Sequence, residues 1–251
     1  MCEELDATAY YHIAYRSHRI MNPLDDERFL LLAGECGLAA GSRVLDIGSG
    51  NGWSALLLAR RWGCHVTMVD VSAQWCAQAR ALFEREGLAH QAEIHMMDAR
   101  DFHPEPGVYD LVLCLGTAPL FGGFTEALEE CARILEPGQH VLIGEPSARL
   151  PLPKRYAEYL ARIRWEVHGE RQLLRAIDRC GFALLWNLRS THDEWDRYMS
   201  MQWTAISDHA RAMPDDEQAG EFLDWVRDEQ EVYLRFQRHW MDWNVMLLRA
   251  M

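Results

Sequence analysis

The chain has 251 residues, 49% hydrophobic and 25% charged, with 25 Lys+Arg against 38 Asp+Glu for a net charge of −13. That composition predicts one or two folded domains and excludes wholesale disorder, and the acid surplus argues against a nucleic-acid-binding protein, which needs a cationic face to displace counterions from phosphates. No stretch of 18 or more apolar residues exists, so no transmembrane helix is expected, and the acidic start Met1-Cys2-Glu3-Glu4 lacks the basic and apolar regions of a secretory signal. Seven cysteines, at positions 2, 36, 64, 76, 114, 131 and 180, include no Cys-x-x-Cys pair and are odd in number. Reduced thiols, no metal site and a cytoplasmic location are the expectation.

Residues 1–40 read as an N-terminal helical cap, with Leu24, Phe29, Leu30, Leu32, Ala33 and Cys36 at helical spacing after the turn signal Asn22-Pro23. From 41 to about 146, short apolar runs alternate with helix-length stretches. The runs are Arg43–Ile47, His65–Val69, Glu93–Met97, Tyr109–Leu115 and His140–Ile143; between them lie Trp53–Trp62, Ser72–Glu86 and Phe124–Leu135. Such alternation is the signal for βαβ units and a parallel sheet covered on both faces. After Pro153, Lys154–Ile163 and Glu170–Cys180 look helical, and Phe182–Leu188 reads as a strand able to pair with Asn244–Leu248, about 55 helical residues later. The predicted fold is a doubly wound, mostly parallel, seven-stranded α/β sheet, with its core at 41–190, a helical acidic lid inserted at 191–240, and a final strand in 241–251. Residues 191–231 hold twelve acidic and three basic side chains, a local charge of −9. They read as a solvated helical surface that repels nucleic acid and anionic membranes but admits neutral or cationic small molecules.

The chemistry-bearing segment is Asp46-Ile47-Gly48-Ser49-Gly50-Asn51-Gly52-Trp53: an acid at a strand tip, three glycines at alternate positions, then a helix. Glycines let backbone approach a ligand, and a helix N-terminus points free N–H groups at it. A dinucleotide-binding G-x-G-x-x-G would need glycine at position 53, which is Trp. The order D-x-G-x-G-x-G instead resembles motif I of class I S-adenosylmethionine-dependent methyltransferases. Four further segments extend the resemblance across 44–146. They are the acid Asp70 ending the second run, Met97-Asp98-Ala99 after the third, Tyr109-Asp110 before the fourth, and Leu135-Glu136-Pro137-Gly138 before the fifth. Outside that core, His18-Arg19-Ile20-Met21-Asn22-Pro23, Gly144-Glu145-Pro146 and Glu194-Trp195-Asp196-Arg197-Tyr198 look similar to an uncharacterised bacterial branch of small-molecule methyltransferases.

The resemblance implies S-adenosylmethionine as cofactor, a Rossmann-like fold and a role for each matching residue. Asp46 and the backbone of Gly48, Ser49, Gly50, Asn51 and Gly52 would hold the methionyl end, and Asp70, followed by Val71, the ribose. Asp98 and Ala99 would read the adenine, and Leu115 and Gly116 would close the rim. The loop after the fourth strand, Cys114-Leu115-Gly116-Thr117, lacks the (Asp/Asn)-Pro-Pro-aromatic tetrapeptide of enzymes that methylate adenine or glutamine amino groups, which favours a small-molecule acceptor. Glu145 is a candidate proton acceptor or amine clamp, its alternative being a structural partner for Arg19 or Arg149. His18 and His192 are the imidazole candidates for a general base. Tyr11, Tyr15, Arg19, Trp195, Tyr198 and Trp203 are candidates to line the acceptor site, the aromatics as a lid over cations. The reading is a methyltransferase acting on O, N or S of a metabolite; a binding protein that keeps the cofactor site without chemistry is the alternative.

Overall fold

Apolar runs such as Arg43–Ile47 and Leu111–Leu115 bury both faces, which requires helices above and below the strand. The computed structural model describes residues 7–163, 165–215 and 218–251, with residues 7 and 8 as backbone only; Cys2, Asp216 and Glu217 lie outside the described residues. Seven strands are present: β1 (Arg43–Ile47), β2 (His65–Asp70), β3 (Ala92–Met96), β4 (Leu111–Leu115), β5 (His140–Ala148), β6 (Phe182–Arg189) and β7 (Met241–Ala250). They form one sheet in the order β3-β2-β1-β4-β5-β7-β6, parallel except for β7, which is antiparallel to both neighbours. This is the α/β architecture that the sequence predicts, with the strand order reversing between β1 and β4. Ligands in open α/β sheets bind at that switch point, outside the carboxyl ends of the strands.

The helices are α1 (Ala7–Ala14), α2 (Asp26–Gly34), α3 (Trp53–Trp62), α4 (Ala73–Arg85), α5 (Phe124–Ile134), α6 (Lys154–Arg162), α7 (Glu170–Arg179), α8 (His192–Ala212), α9 (Ala219–Val232) and α10 (Arg238–Trp240). Strand residues alternate between two cores. Val44, Leu113 and Leu142 meet Phe29, Leu32, Leu56, Leu58 and Phe83 of α2, α3 and α4. Leu45, Val112 and Ile143 meet Phe124, Leu128, Cys131 and Ile177 of α5 and α7. Each fully buried leucine or phenylalanine contributes about 1.5–3 kcal/mol.

Two features differ from the sequence expectation. The N-terminal region is not one cap. Residues 15–25 are irregular, α2 joins the sheet core, and α1 packs instead on the inserted helices, where Tyr10 and Ala14 share a separate core with Ile206, Phe222 and Val226. The break has a local cause: Asp25 is extended (φ −90°, ψ 164°) and caps α2 by accepting the Arg28 N–H at 2.8 Å. Strand β5 also continues five residues beyond Ile143, so Glu145 lies within the strand rather than at its end. It is extended by β7, which pairs along its whole length and sets Asn244 opposite Glu145. Pro146 is tolerated because β4 stops opposite Gly144, leaving no ladder bond to lose on that side.

The inserted body is fastened to the core through Glu194. This buried carboxylate closes a capping box with Thr191 at the start of α8 and accepts from the Asp25 N–H (3.2 Å) and the Arg28 guanidinium (2.7 Å). At the other end, Asp196 accepts from Tyr233 (2.6 Å) and Arg238 (2.7 Å), fixing the widened turn Tyr233–Gln237 that leads into α10 and β7. The acidic surface expected over 191–231 is thus only partly solvated. No helix among the described residues is long and apolar enough to cross a membrane.

Candidate active site

Asp46 sits at the tip of β1, 3% exposed. Its Oδ2 has no hydrogen-bond partner among the described residues, and burial together with the charge of Asp70 pushes its pKa up to about 7. The chain then turns through Gly48 and Gly52 at φ +65° and +77°, where a side chain would be strained. A Cβ on Gly48 would strike Thr117, and one on Gly52 would stand 2.9 Å from the Ala79 Cβ. Most N–H groups expected to be free are in fact engaged. Gly48 and Ser49 donate to the Val69 carbonyl (2.8 and 3.2 Å), Gly50 to Asp70 Oδ2 (2.8 Å), and Gly52 to the Ser49 carbonyl (3.1 Å). The turn is a bare cradle, and Asp46 is the polar group left unpaired beside it.

Asn51 has a different task from its neighbours. Its Oδ1 accepts the Trp53 N–H at 3.0 Å, and its Nδ2 donates to the carbonyls of His18 (2.9 Å) and Arg19 (3.0 Å). The side chain therefore ties residues 18–22 down onto the glycine turn, where Met21 Sδ would lie 2.6 Å from a Cβ on Gly50. Asn22 makes a second tie, from Nδ2 to the Leu115 carbonyl at 3.2 Å. Next to Leu115, Gly116 (φ +76°) donates to the Gly144 carbonyl and lies against the Trp243 indole.

Asp70, ending β2, is held by two N–H groups, Gly50 on Oδ2 and Ser72 on Oδ1 (2.8 Å each). A carboxylate offers about four acceptor positions, so two remain for a ligand. Val71 beside it is 73% exposed, an apolar side chain left uncovered at the rim. Asp98 accepts from the Arg100 N–H (2.9 Å) and its guanidinium (2.5 and 3.0 Å), which hold its carboxyl down to about 2; Ala99 starts the 3₁₀ turn that follows. From above, His12 of α1 bonds the Ser72 hydroxyl at 2.8 Å and stands edge-on to Trp75.

On the other side of the rim, burial alone pushes Glu145, 9% exposed, up to about 8. Neither arginine offered as its partner reaches it: Arg149 grips Asp242 at 2.6 and 2.8 Å, and Arg19 lies over the Trp53 ring beside Asp26. His18 is also buried. Its Nε2 is 3.0 Å from the Tyr198 carbonyl and so carries the proton, while Nδ1 has no partner among the described residues. Burial lowers its pKa, against the opposing pull of the Tyr198 and Tyr15 backbone carbonyls. Tyr15 and Tyr198 join hydroxyls at 2.8 Å, both rings stand near the imidazole, and the exposed Tyr11 stacks on Tyr15. A cavity of about 510 Å³ is lined by His18, Arg19, Tyr198 and Met201 among others.

The remaining candidates are placed differently. His192 is exposed at the first position of α8, on the far side of Thr191 from β6, and no hydrogen bond or ion pair ties it to Glu145 among the described residues. Trp195 packs between the sheet core and the α6 cluster, and Trp203 stands edge-on to Tyr233 with its Nε1 unpaired. Sequence reasoning missed His12, Asn22 and Trp243 as site residues. Only Asn22 carried a signal, its place before Pro23.

Residues 44–138 match the family described as "Methyltransferase domain". Over 98% of its length the chain is 29% identical to "Uncharacterized protein YjhP" of Escherichia coli (strain K12), all of which it covers. Among solved structures, it is similar to a SAM-dependent methyltransferase from Geobacter sulfurreducens in complex with S-adenosyl-L-homocysteine (TM-score 0.88, 29% identity, 98% of this chain and 100% of that one). It is likewise similar to a SAM-dependent methyltransferase from Thiobacillus denitrificans in complex with the same molecule (TM-score 0.86, 30% identity, 96% and 98%). With the fold, the motif order and these full-length matches in agreement, the chain belongs to the S-adenosylmethionine-dependent methyltransferases.

Proposed function

We propose that the protein moves the methyl group of S-adenosylmethionine to O, N or S of a small metabolite in the cytoplasm. The observation that carries this is the unpaired, buried oxygen of Asp46 beside a turn that no side chain could fill. A buried carboxylate left unpaired is costly unless a ligand answers it, and the methionyl ammonium is a suitable answer. Asp70 takes the ribose hydroxyls with its two open acceptor positions, Val71 covers one face of the adenine, and Asp98 with the Ala99 N–H reads its edge. The bound cofactor supplies an electrophilic methyl on a sulfonium, displaced in line by the acceptor.

The protein's own share of the work is alignment, water exclusion and proton handling. Residues 18–22, tied down by Asn51 and Asn22, with Tyr11, Tyr15 and Tyr198 behind them, cover the site; Arg19 flanks it. His18 Nδ1, unpaired among the described residues, is suited to accept a proton from an acceptor hydroxyl, thiol or ammonium, and Glu145 becomes a second proton acceptor once the pH passes about 8 and ionises it. The net charge of −13, the acidic insertion and the six described cysteines, all free, support a small molecule over a polyanion and a reducing compartment.

Calorimetry tests the cofactor assignment: S-adenosylmethionine binds at micromolar strength, and Asp70→Ala weakens it by about a hundredfold or more, the worth of two charge-assisted hydrogen bonds. Unchanged affinity in that variant overturns the ribose role. Glu145→Gln retains cofactor affinity while transfer across a metabolite panel falls about tenfold or more; full turnover removes Glu145 from the chemistry.

A further inference from the structure

A second cavity, of about 480 Å³, lies where the ends of β5, β6 and β7 meet the start of α7, and it shares no lining residue with the cavity at His18. Its walls are brought together by backbone. Ser147 of β5 pairs with Asp242 of β7, the Ala148 N–H donates to the His168 carbonyl at 2.8 Å, and the Arg149 N–H donates to the Trp240 carbonyl at 2.8 Å. Gly169 lets α7 begin this close to β5, since a Cβ there would stand 3.1 Å from Leu150 Cδ1 and 3.6 Å from the Ala148 carbonyl oxygen. The cavity lies at the carboxyl ends of β5 and β6, along the same edge of the sheet as the glycine turn after β1 and Gly116 after β4.

The charge lining this cavity runs against the rest of the chain. Arg149, Arg171, Arg175 and Arg189 stand there against Glu170 and Asp242, a surplus of two positive charges in a protein whose net charge is −13. Asp242, 6% exposed, is already engaged. Arg149 grips it with Nε (2.8 Å) and Nη2 (2.6 Å), and Arg189 Nη1 adds a third bond at 3.3 Å. The clamp orients both guanidiniums and leaves Arg149 Nη1 and Arg189 Nε without a hydrogen bond among the described residues. Glu170 stands 3.8 Å from Arg189 Nη2, an ion pair without a hydrogen bond. Arg171 and Arg175, exposed and one turn apart on α7, make no hydrogen bond or ion pair among the described residues. An ion-pair network that ties the strands together accounts for Arg149 and Arg189 but gives no task to the other two. Like charges four residues apart on a helix repel, and these two add to the positive field of the clamp. An anion in the cavity turns that repulsion into attraction, because guanidinium forks match the oxygens of phosphates and carboxylates, and a concave wall of one sign concentrates the field.

We propose that Arg149, Arg171, Arg175 and Arg189 form a cleft that binds a small molecule bearing a phosphate or clustered carboxylates. The cavity has the dimensions of a metabolite site. The net charge of −13 turns away the nucleic acids and anionic membranes that arginines otherwise attract. Two sources present the same oxygens to the cleft: the anionic end of the methyl acceptor and a separate effector anion. The cleft stands without the methyltransferase reading, since it holds its ligand whatever is methylated. It binds and orients; no bond is made or broken there.

Calorimetric titration of the full chain with inorganic pyrophosphate, at physiological ionic strength, tests the cleft. Pyrophosphate binds with a Kd of about 1 mM or below. Arg171→Gln combined with Arg175→Gln, both at exposed positions, weakens it by about tenfold or more and leaves the affinity for S-adenosylhomocysteine unchanged. Arg61→Gln combined with Arg85→Gln, which removes the same charge from α3 and α4, leaves pyrophosphate binding unchanged. Absence of binding at that concentration, or equal weakening by the two double variants, overturns the cleft. Paired phosphorylated and dephosphorylated compounds in the metabolite panel separate the two sources. Transfer confined to phosphorylated members and lost in the Arg171→Gln, Arg175→Gln variant identifies the acceptor's anchor. Transfer to neutral members that pyrophosphate alters without competing identifies an effector site. Failure to bind S-adenosylhomocysteine overturns the methyltransferase reading alone, because pyrophosphate binding is measured without it.

Discussion

The cofactor rim and the helical body over it are built on opposite principles. At the rim, Asp46, Gly48, Gly50, Gly52 and Asp70 occupy one strand-turn-helix and the next strand tip, and their mutual bonds are largely backbone bonds. In the overlying body, Tyr10 meets Glu229, Tyr15 meets Tyr198, and Asp196 meets Arg238, each bond joining side chains that are distant in sequence. A site made of backbone tolerates change around it and fails on one misplaced Cβ. One made of side-chain pairs can be retuned residue by residue, which suits the part of an enzyme that chooses its substrate.

Substitutions can break or sharpen this contrast, and the largest effect is expected at the seam. Glu194→Ala leaves the Arg28 guanidinium and the Thr191 and Asp25 N–H groups without their common acceptor. Urea denaturation should show a loss of about 3–5 kcal/mol, with cofactor affinity weakened wherever the overlying body has come loose. Next comes Glu145. Its folded pKa of about 8 lies above its ordinary 4.5, so the folded state holds the extra proton and stability falls as pH rises between those values. Asp46, shifted from 3.8 to about 7, slopes the same way. Melting curves of Glu145→Gln should match the wild type near pH 4 and exceed it above pH 8 by about 2–4 kcal/mol, with a shallower slope between. A variant with an unchanged slope would assign the effect to other groups.

Gly52→Ala tests the backbone side of the contrast. Its φ of +77° and the approach to Ala79 should cost roughly 1–3 kcal/mol in chemical denaturation, and α3 should shift enough to impair cofactor binding. Asn51→Ala is the mildest, at about 1 kcal/mol for the lost hydrogen bonds. Hydrogen exchange should rise across residues 18–22 while protection of β1 and β2 is kept; unchanged exchange would show that the strap holds without its tether.

What could be read from the sequence follows the same division. The bounds of β1 and α3 were legible to the residue because both faces of the strand are apolar and glycine punctuation separates it from the helix. The mostly parallel, doubly wound sheet followed from βαβ alternation and the motif series, and the pairing of Phe182–Leu188 with Asn244–Leu248 from their apolar runs. Not legible was anything decided by a remote partner. β5 is extended by β7, α1 is separated from α2 by the helices it packs on, and Asn51 points at carbonyls more than thirty residues upstream. The insertion was legible as helices between the last two strands, but the exposure of its acids was not, for the same reason. A charge tally could not tell Glu194, buried among its donors, or Glu229, half-buried against Tyr10, from acids that face water.

The placement of β7 has a consequence for biogenesis. It lies between β5 and β6, although β6 leaves the ribosome about fifty residues earlier, so β6 emerges with both edges unpaired. The β3-β2-β1-β4-β5 part of the sheet can assemble during translation; the β6 side must wait until Met241–Ala250 has cleared the exit tunnel and slid into the gap. Nascent chains stalled before that strand should already be competent for nucleoside capture while exposing a sticky edge that chaperones recognise.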